Sequence, residues 1–415
     1  MLKQIEGSRA VAETVAMCRP EVICAYPITP QTHIVEALGA MVKKGDLAAE
    51  FINVESEFAA MSVAIGASAA GARAYTATAS QGLLYMCEAV HNAAGLGLPV
   101  VMTVANRAIG APINIWNDHS DAMSQRDAGW IQLYAQTSQE ALDLHIQAFR
   151  IAEELSNPVM VCMDGFLLTH ASERADIPAQ AQVDAFVPPY QPRQVLDPSD
   201  PVSIGAMVGP EAFTEVRYLA HARMREALEL IPQVAARFTA DFCRESGGLV
   251  RPYRTEDADL IVVGLGSVLG TVEDAVDELR DTGMRVGVLG ITTYRPFPAR
   301  AIAEALSGCG RLVVLERALS PGTGGMVSAD IRMALPAGPA MHTVIAGLGG
   351  RAVTRKSLRA MLTQAAAGAL GPLTFLDLDA GLAGRELARM RDARRSGPSA
   401  ENMLRDLGIS ASRIG

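Results

Sequence analysis

The sequence predicts an α/β protein of two doubly wound parallel-sheet domains, joined by a proline-rich connector and a long helix. The chain has 415 residues, more than the roughly 250–300 over which one hydrophobic core usually keeps growing. Its hydrophobic share of 49% and charged share of 20% are typical of globular proteins. Short apolar runs alternate with helical patterns twice along the chain, as parallel sheets covered by helices require.

The first alternating unit is the predicted N-terminal domain, residues 1–186. Its strands are short apolar runs, and its helices show the periodicity of an amphipathic surface. Open sheets of this kind bind ligands beyond the carboxyl ends of their strands, so the residues that follow each strand are site candidates. The predicted strands are 22–25, 51–54, 74–79, 99–105 and 158–163, and the predicted helices are 32–43, 58–72, 83–94 and 139–155.

A connector, a second α/β unit and a tail follow. Residues 187–254 are predicted as a proline-rich connector and a long helix, whose apolar residues recur every 3.6 residues over 213–242, with a kink at Pro232. Residues 255–365 are predicted as the second domain. Residues 366–415 are predicted as a helical, arginine-rich tail, either a solvated arm or a docking arm. The second domain's predicted strands are 259–264, 286–290 and 311–316, and its helices 272–281 and 301–306.

Charge and cysteine content argue against several classes of protein. The formal net charge is −9 and no basic face is evident before the tail, which argues against a nucleic-acid partner. The sequence shows neither a signal-peptide core nor an apolar stretch of the roughly 20 residues that a membrane span needs, so a cytoplasmic protein is expected. The cysteines lie far apart without a Cys-x-x-Cys pair, which predicts buried thiols and neither disulfides nor a metal or iron–sulfur site. They are Cys18, Cys24, Cys87, Cys162, Cys243 and Cys309.

Glu57 is the first candidate for chemistry. It follows a predicted strand and opens an alanine-rich helix, where the helix dipole favours the ionised carboxylate and apolar surroundings favour the protonated acid. A carboxyl group between these two influences suits hydrogen bonding to a ring nitrogen. The alternative is an ordinary capping glutamate at a helix start.

Arg107 and Thr29 form a second candidate group. Arg107 follows the predicted strand 99–105, so its guanidinium emerges at the ligand-binding edge, where a planar fork of donors matches a carboxylate such as that of a 2-oxo acid. The alternative is a surface salt bridge. Thr29 lies in a turn that Pro27 and Pro30 make rigid, and it becomes a candidate hydroxyl donor only beside Arg107.

Three further motifs each allow two interpretations. Residues 117–121 (Asn-Asp-His-Ser-Asp) are a weak metal signal that turn capping or hydration also explains. Residues 264–270 resemble a dinucleotide fingerprint, but the third glycine sits one residue late, which favours a tight strand-to-helix turn. Residues 320–325 (Ser-Pro-Gly-Thr-Gly-Gly) form either an anion cradle or a flexible turn.

A set of collinear motifs resembles the alpha subunit of pyruvate and related 2-oxoacid:ferredoxin oxidoreductases. The match covers about residues 8–362. It departs from the family at Gln31 and Thr32, where small hydroxyl residues are commoner, and the tail falls outside it, so substrate size and partner subunits stay open. The motifs are Ala25-Tyr26-Pro27-Ile28-Thr29-Pro30, Glu55-Ser56-Glu57, 78–84, Asn106-Arg107-Ala108, 115–121, 125–130, Met163-Asp164-Gly165-Phe166, 264–267, 294–298 and 346–351.

The resemblance implies a thiamine-pyrimidine-binding-like first domain and a transketolase-C-terminal-like second domain in a thiamine diphosphate-dependent enzyme. Glu57 then faces N1′ of the aminopyrimidine ring and drives the tautomerisation that lets the 4′-imine deprotonate the thiazolium carbon. Thr29 and Arg107 are implied to line the pocket for the 2-oxo acid. The residues implied to surround the cofactor, besides Glu57, are Pro27, Ile28, Ser80 and Gln81.

The other half of such a site is missing from the chain, because no Gly-Asp-Gly run precedes a downstream Asn, the pattern that holds a metal on the diphosphate. The resemblance therefore implies partner subunits: a beta-type subunit that binds the diphosphate through Mg²⁺, a gamma-type subunit, and a ferredoxin-like subunit with [4Fe-4S] clusters. Coenzyme A is the implied co-substrate.

The implied activity is oxidative decarboxylation of a 2-oxo acid, with pyruvate as the expected substrate, to an acyl-CoA with electrons passed to ferredoxin or a similar acceptor. One alternative is the same chemistry on an aromatic 2-oxo acid such as phenylglyoxylate, with NAD as final acceptor. Two others are an NAD-dependent dehydrogenase built on residues 264–270 and a non-catalytic scaffold subunit.

Overall fold

The computed structural model describes residues 2–391 and 397–409, which form an α/β structure as predicted. The strands are β1 (Leu2–Glu6), β2 (Val22–Ala25), β3 (Glu50–Asn53), β4 (Ala74–Thr78), β5 (Val101–Asn106), β6 (Ile131–Tyr134), β7 (Val159–Asp164), β8 (Ser172–Asp176), β9 (Val250–Tyr253), β10 (Leu260–Gly264), β11 (Val286–Ile291), β12 (Thr293–Arg295), β13 (Arg311–Glu316), β14 (Ala340–Ile345) and β15 (Leu373–Phe375). The helices are α1 (Gly7–Met17), α2 (Thr32–Lys44), α3 (Glu57–Ala69), α4 (Ser80–Tyr85), α5 (Cys87–Leu96), α6 (Ser120–Ser124), α7 (Ser138–Leu155), α8 (Gln180–Phe186), α9 (Phe213–Phe242), α10 (Val268–Arg280), α11 (Ala299–Ala305), α12 (Met326–Ala334), α13 (Arg355–Ala366), α14 (Ala380–Arg389) and α15 (Ser399–Asp406).

Seven strands of the described chain form the first sheet, in the order β12-β6-β7-β5-β4-β2-β3. Its neighbouring strands are parallel, except that β12 runs antiparallel to β6. Strands β4, β5 and β7 lie in the middle and are buried along their whole length, as the central strands of a parallel sheet covered by helices should be. One core packs α1, α2, α7 and part of α9 against the sheet, and another packs α3, α4 and α5.

The five strands predicted for the first domain are present in this sheet, each with bounds within two residues of those expected. Strand β6 was not predicted, because Gln132 interrupts its short apolar run. Strand β12 was not predicted either, since it comes from the second alternating unit and pairs with β6 only in the folded chain. The single helix predicted over 83–94 is instead two helices, α4 and α5, which meet at Met86.

Within the described ranges, six strands form the second sheet, in the order β15-β14-β13-β10-β11-β9. They are parallel except for β9. Strand β10 lies between β11 and β13, so the direction of winding reverses there and a crevice opens at its carboxyl end. A short antiparallel pair, β1 with β8, lies apart from both sheets. Strands β9 and β15 belong to this sheet but lie outside residues 255–365, the predicted second domain. The predicted domain limits stay a prediction.

Helix α9 continues through Pro232, and its apolar stripe is buried only in its second half, at Ala227, Ile231, Val234, Phe238 and Phe242. In the first half Phe213 and Val216 are 54% and 40% exposed. The cause is that the core covering α9 begins at Met224. Neither α9 nor any other helix in the described ranges combines the length and apolar character that crossing a bilayer requires.

The C-terminal tail was predicted to be helical, but the structure differs at its start. Residues Leu373–Phe375 form β15, which adds an edge strand to the second sheet. Helices α14 and α15 follow it and are joined by ion pairs, in which Arg385 and Arg389 approach Asp406 to 3.2 and 2.7 Å. Arg394 and Arg395, which contributed to the predicted arginine-rich arm, lie outside the described residues.

All six cysteines are free thiols, in line with the sequence analysis. Cys18, Cys24 and Cys162 are buried, but Cys243 is exposed, contrary to the prediction of buried thiols. Its position explains the difference, since it is the residue that ends α9 in a left-handed conformation.

Candidate active site

The predicted site residues lie at one edge of the first sheet. Each follows the carboxyl end of a strand, and neighbouring parallel strands bring these ends together. The 26–30 turn follows β2, Glu57 follows β3, Ser80 and Gln81 follow β4, and Arg107 follows β5.

Glu57 is the first residue of α3 and is only 7% exposed. The helix cap is the preceding residue, since Ser56 Oγ accepts a hydrogen bond from the Ala59 amide at 3.2 Å. The alternative interpretation, a capping glutamate, therefore does not describe Glu57. No hydrogen bond or ion pair joins its carboxylate to another described residue. A carboxylate in so little contact with solvent gains from a hydrogen-bond donor, and the described chain supplies none.

Gly82, in the first turn of α4, allows the backbone to approach Glu57. A β-carbon at Gly82 would stand 2.6 Å from Glu57 Oε1 and 2.6 Å from Thr78 Oγ1, closer than any real contact of this kind. The Thr78 hydroxyl is itself buried and has no hydrogen-bond partner among the described residues. The pocket around Glu57 therefore holds two polar side chains whose partners are not supplied by the described chain.

Arg107 lies beside Thr29. Its Nη1 donates to the Thr29 carbonyl at 2.9 Å and its Nε to the Asn114 carbonyl at 3.1 Å. The other terminal nitrogen bonds to no described residue, and Arg107 forms no ion pair within the described ranges, so the surface salt bridge is not what the structure shows. Burial lowers the pKa of the guanidinium, and the nearby Asp121 carboxylate offsets part of this effect. Arg107 thus keeps donors free for a carboxylate.

Gln31 supports the turn that carries Thr29. Its side chain is fully buried, and Nε2 donates to the Tyr26 carbonyl at 2.8 Å. The residue that departs from the family pattern therefore points inward under the turn. Pro27 and Thr29 remain exposed, whereas Ile28 is half-buried.

Ser80 and Gln81 contact the loop that follows Arg107. Ser80 is buried in a left-handed conformation, and its hydroxyl donates to the Ala108 carbonyl at 2.5 Å and contacts Gln81 Oε1. Gln81 reaches Gly110, where a β-carbon would stand 2.5 Å from its amide nitrogen. These two residues therefore join the end of β4 to the Arg107 loop.

The segment 117–121 is a buried hydrogen-bonded loop. Asp118 accepts from the Gly349 amide at 2.9 Å, and His119 Nε2 lies 2.7 Å from Asp164 Oδ1. Asp121 accepts from backbone amides at the ends of β4 and β5. No three His, Cys, Asp or Glu side chains within residues 2–391 and 397–409 converge to hold a metal ion. Backbone and side-chain hydrogen bonds within the fold account for this motif.

Asp164, at the end of β7, occupies the crevice of the second sheet. It accepts from the Ser267 amide and from Arg317 Nη1, each at 2.9 Å, and contacts the Ser267 hydroxyl. Burial alone would raise the pKa of Asp164, but Arg317 and His119 together lower it far below its usual value. A carboxylate from the first sheet thus takes the place that a bound anion would occupy at Gly266. The dinucleotide interpretation of residues 264–270 does not fit this arrangement.

The turn 320–325 is likewise not free to cradle an external anion. It precedes α12, whose first turn receives the buried carboxylate of Glu316: Oε1 accepts from the Ser328 amide at 2.7 Å and from its hydroxyl at 2.6 Å. A β-carbon at Gly325 would stand 2.2 Å from that oxygen. The chain's own glutamate therefore fills this helix terminus.

An exposed apolar rim surrounds the edge that carries the site residues. Tyr85, Ile113 and Trp116 are 63%, 79% and 53% exposed. Large apolar side chains exposed near a candidate site are typical of interaction surfaces in folded proteins. The other members of the rim are Tyr26, Ile52, Phe58, Leu84, Ile115 and Leu167.

Comparison with known families gives two matches along the chain. Residues 13–236 match the family model described as pyruvate flavodoxin/ferredoxin oxidoreductase, thiamine diphosphate-binding. Residues 258–358 match the model for pyruvate:ferredoxin oxidoreductase core domain II.

Curated relatives agree with these matches. The chain is 51% identical to pyruvate synthase subunit PorA of Methanosarcina barkeri, over 77% of this chain and 80% of the relative. It is 45% identical to the PorA subunit of Methanothermobacter thermautotrophicus, over 85% and 92%. It is 39% identical to ketoisovalerate oxidoreductase subunit VorA of Pyrococcus abyssi, over 86% and 92%.

Solved structures share the fold. A 2-oxoglutarate:ferredoxin oxidoreductase from Magnetococcus marinus aligns with a TM-score of 0.67 at 18% identity, over 88% of this chain and 65% of that chain. The present chain therefore spans about two thirds of that polypeptide. A split-gene transketolase aligns with a TM-score of 0.52 at 14% identity, over 88% of this chain and 99% of the other.

Proposed function

This chain belongs to the thiamine diphosphate-binding pyruvate flavodoxin/ferredoxin oxidoreductase family, as an alpha subunit of the 2-oxoacid:ferredoxin oxidoreductases, and from this premise we propose that it supplies the pyrimidine-facing half of the active site in a multi-subunit enzyme. The assembled enzyme converts pyruvate and coenzyme A to acetyl-CoA and CO₂. Two electrons leave for ferredoxin or a similar acceptor.

The observation that carries this proposal is the buried, unpartnered carboxylate of Glu57 at an edge framed by exposed apolar side chains. A hydrogen-bond donor or acceptor on a bound ring would satisfy it. Thiamine diphosphate, when bound, supplies the carbanion stabilisation that decarboxylation of a 2-oxo acid requires. The role of Glu57 in this proposal is to hold or share a proton at N1′, with Ser80, Gln81, Pro27 and Ile28 around the ring.

Arg107 and Thr29 bind the substrate in this proposal. The free guanidinium nitrogen of Arg107 pairs with the 2-oxo acid carboxylate, and the bonds from Arg107 to the Thr29 and Asn114 carbonyls orient it. Pyruvate is favoured over an aromatic acid such as phenylglyoxylate, because the relatives of 43–51% identity are pyruvate synthase subunits. The scaffold alternative is not favoured, since an inert subunit has no need of a buried, unpartnered glutamate.

The partner subunits complete the site. A beta-type subunit docks on the apolar rim and holds the diphosphate through Mg²⁺, for which this sequence has no Gly-Asp-Gly pattern. A gamma-type subunit and a ferredoxin-like subunit with [4Fe-4S] clusters complete the complex, which acts in the cytoplasm. The spacing of the cysteines in this chain supports placing the clusters elsewhere.

The test is to tag the chain in its native host, purify the complex that it forms, and measure the thiamine and iron content of that complex. Its coenzyme A-dependent reduction of ferredoxin is then compared for pyruvate, 2-oxoisovalerate, 2-oxoglutarate and phenylglyoxylate. We expect bound thiamine diphosphate and the highest kcat/KM with pyruvate. A complex without thiamine, or one that prefers phenylglyoxylate, would contradict the assignment.

Replacing Gly82 with Ala is expected to lower kcat of this complex by about ten- to a hundred-fold, because displacing a reacting group by about 1 Å can cost this much. The added methyl group would contact Glu57 Oε1 and Thr78 Oγ1 and push the carboxylate aside. The matched control is Gly66→Ala on α3, where a β-carbon meets nothing within 4 Å. Steady-state kinetics of the two variants decide the matter, and equal activity in both would rule out this close packing.

A further inference from the structure

Asp121 is a fully buried carboxylate at the carboxyl ends of β4 and β5, the strands that precede Ser80 and Arg107. It belongs to the short helix α6, at the end of the loop that begins with Arg107. In the sequence, Asp121 belongs to a motif that allows either a metal ligand or a turn residue. The structure surrounds its carboxylate with N–H donors, one of them in its own turn.

Each oxygen of Asp121 accepts two hydrogen bonds. Oδ2 accepts from the backbone amides of Ser80 and Arg107, both at 2.9 Å. Oδ1 accepts from Asn106 Nδ2 at 2.8 Å and from the Ala122 amide at 2.7 Å. One side chain therefore fixes the backbone at the carboxyl ends of β4 and β5 at the same time.

These bonds require both oxygens to be acceptors, which only an ionised carboxylate provides. The cation facing Asp121 is Arg107, whereas the neighbouring Tyr134 and Cys162 are buried and keep their protons, because burial raises the pKa of both. Burial raises the pKa of Asp121 to about 6, against the pull of its four N–H donors. The geometry thus places a buried negative charge directly behind the residue that binds substrate.

We propose that Asp121 is a positioning residue for substrate recognition: by holding the Arg107 and Ser80 amides, it fixes the Arg107 guanidinium beside Thr29, ready for the substrate carboxylate. Asp121 itself touches neither substrate nor cofactor. The proposal rests on the proposed function, because it takes Arg107 as the group that binds the 2-oxo acid.

Asp121→Asn in the assembled complex tests this role. The substitution keeps the size of the side chain but turns one acceptor into an N–H donor that faces other donors. If the Arg107 side chain is held less firmly, it binds the substrate and the transition state more weakly by the same factor. KM therefore rises while kcat stays nearly unchanged. We expect KM for pyruvate to rise about ten- to a hundred-fold, with kcat and thiamine content within about threefold of the unmodified complex.

Asp143→Asn is the matched control. Asp143 is also a buried aspartate on a helix, paired with Arg244 at 2.6 Å, and it contacts none of the site residues. The Asp143→Asn substitution should lower the thermal stability of the complex and leave its KM for pyruvate unchanged. A merely structural role for Asp121 would give the same result as this control, and an unchanged KM in a folded Asp121→Asn complex would overturn the proposal.

Asn106→Ala provides a second variant in case Asp121→Asn does not assemble. It removes one donor to Asp121 and leaves the carboxylate in place, so a smaller rise in KM, about threefold to tenfold, is expected. An unchanged KM in this variant would also overturn the proposal. Failure of the proposed function is separate, because it would appear as a wild-type complex that does not turn over pyruvate at all.

Discussion

Replacing Glu57 with Gln is expected to lower turnover of the assembled complex by roughly a thousand-fold, the scale at which proton transfer groups contribute to catalysis. Gln has the same size and can still bond a ring nitrogen, but it cannot share an acidic proton with it. Because the side chain is buried at the start of α3 and bonds to no other described residue, the fold should not depend on its charge. The measurement is kcat of the purified complex with pyruvate, together with its subunit composition.

Glu55→Gln is the matched control for this variant. It makes the same chemical change two residues earlier in the chain, at an exposed position before the helix begins. Assembly and turnover should both be close to those of the unmodified complex. Full activity in Glu57→Gln, or equal losses in the two variants, would contradict the role given to Glu57.

Replacing Asp164 with Asn is expected to reduce the free energy of unfolding by about 3–5 kcal/mol, because removing one partner of a buried ion pair leaves the other charge unpaired. The stranded group is Arg317, which is 5% exposed and whose Nε has no partner among the described residues. Asn also lacks the negative charge that faces His119, whose Nε2 lies 2.7 Å from Asp164 Oδ1. Since these bonds join the two sheets, their loss should loosen the second unit from the Arg107 loop.

Urea or thermal unfolding of the isolated chain measures this effect. The control is Asp259→Asn, which breaks an exposed pair with Arg285, 2.6 Å apart, and should change stability little because water screens that pair. A loss in Asp164→Asn no larger than that of the control would mean that the buried pair does not hold the two units together.

Local sequence was enough to predict that the candidate site residues follow strand ends and meet at one edge of the first sheet. The strand ends before Thr29, Glu57 and Arg107 were recognisable from short apolar runs, and parallel pairing then brought them to one edge. The alanine-rich helix that Glu57 opens predicted apolar surroundings for its carboxyl group, and the residue is 7% exposed. Their chemical roles came from the resemblance and stay predictions.

Contacts between distant segments could not be predicted. Asp164 and Arg317 are 153 residues apart, and nothing near either one indicates that they meet. The same holds for β12, which joins a sheet formed by the other unit. Asp121 was missed because an aspartate in a polar loop looks solvated until the fold closes over it. The need for glycine at 264–267 and 346–351 also could not be predicted. These residues pack against side chains of the Arg107 loop and its surroundings, which are distant in the sequence.

The sequence also could not predict which apolar side chains stay exposed. The stripe along α9 predicts a buried face, yet Phe213 and Val216 are exposed because no described element covers them. Hydrophobic periodicity indicates which face is apolar, but the partner that covers it is a property of the folded assembly.

The most direct test is a map of the assembled holoenzyme that resolves thiamine diphosphate and the Glu57 side chain. The account predicts a Glu57 carboxylate oxygen about 2.6–3.2 Å from N1′ of the aminopyrimidine ring, with the diphosphate held by the partner subunit. A ring bound elsewhere, with Glu57 still buried and unpartnered, would contradict it.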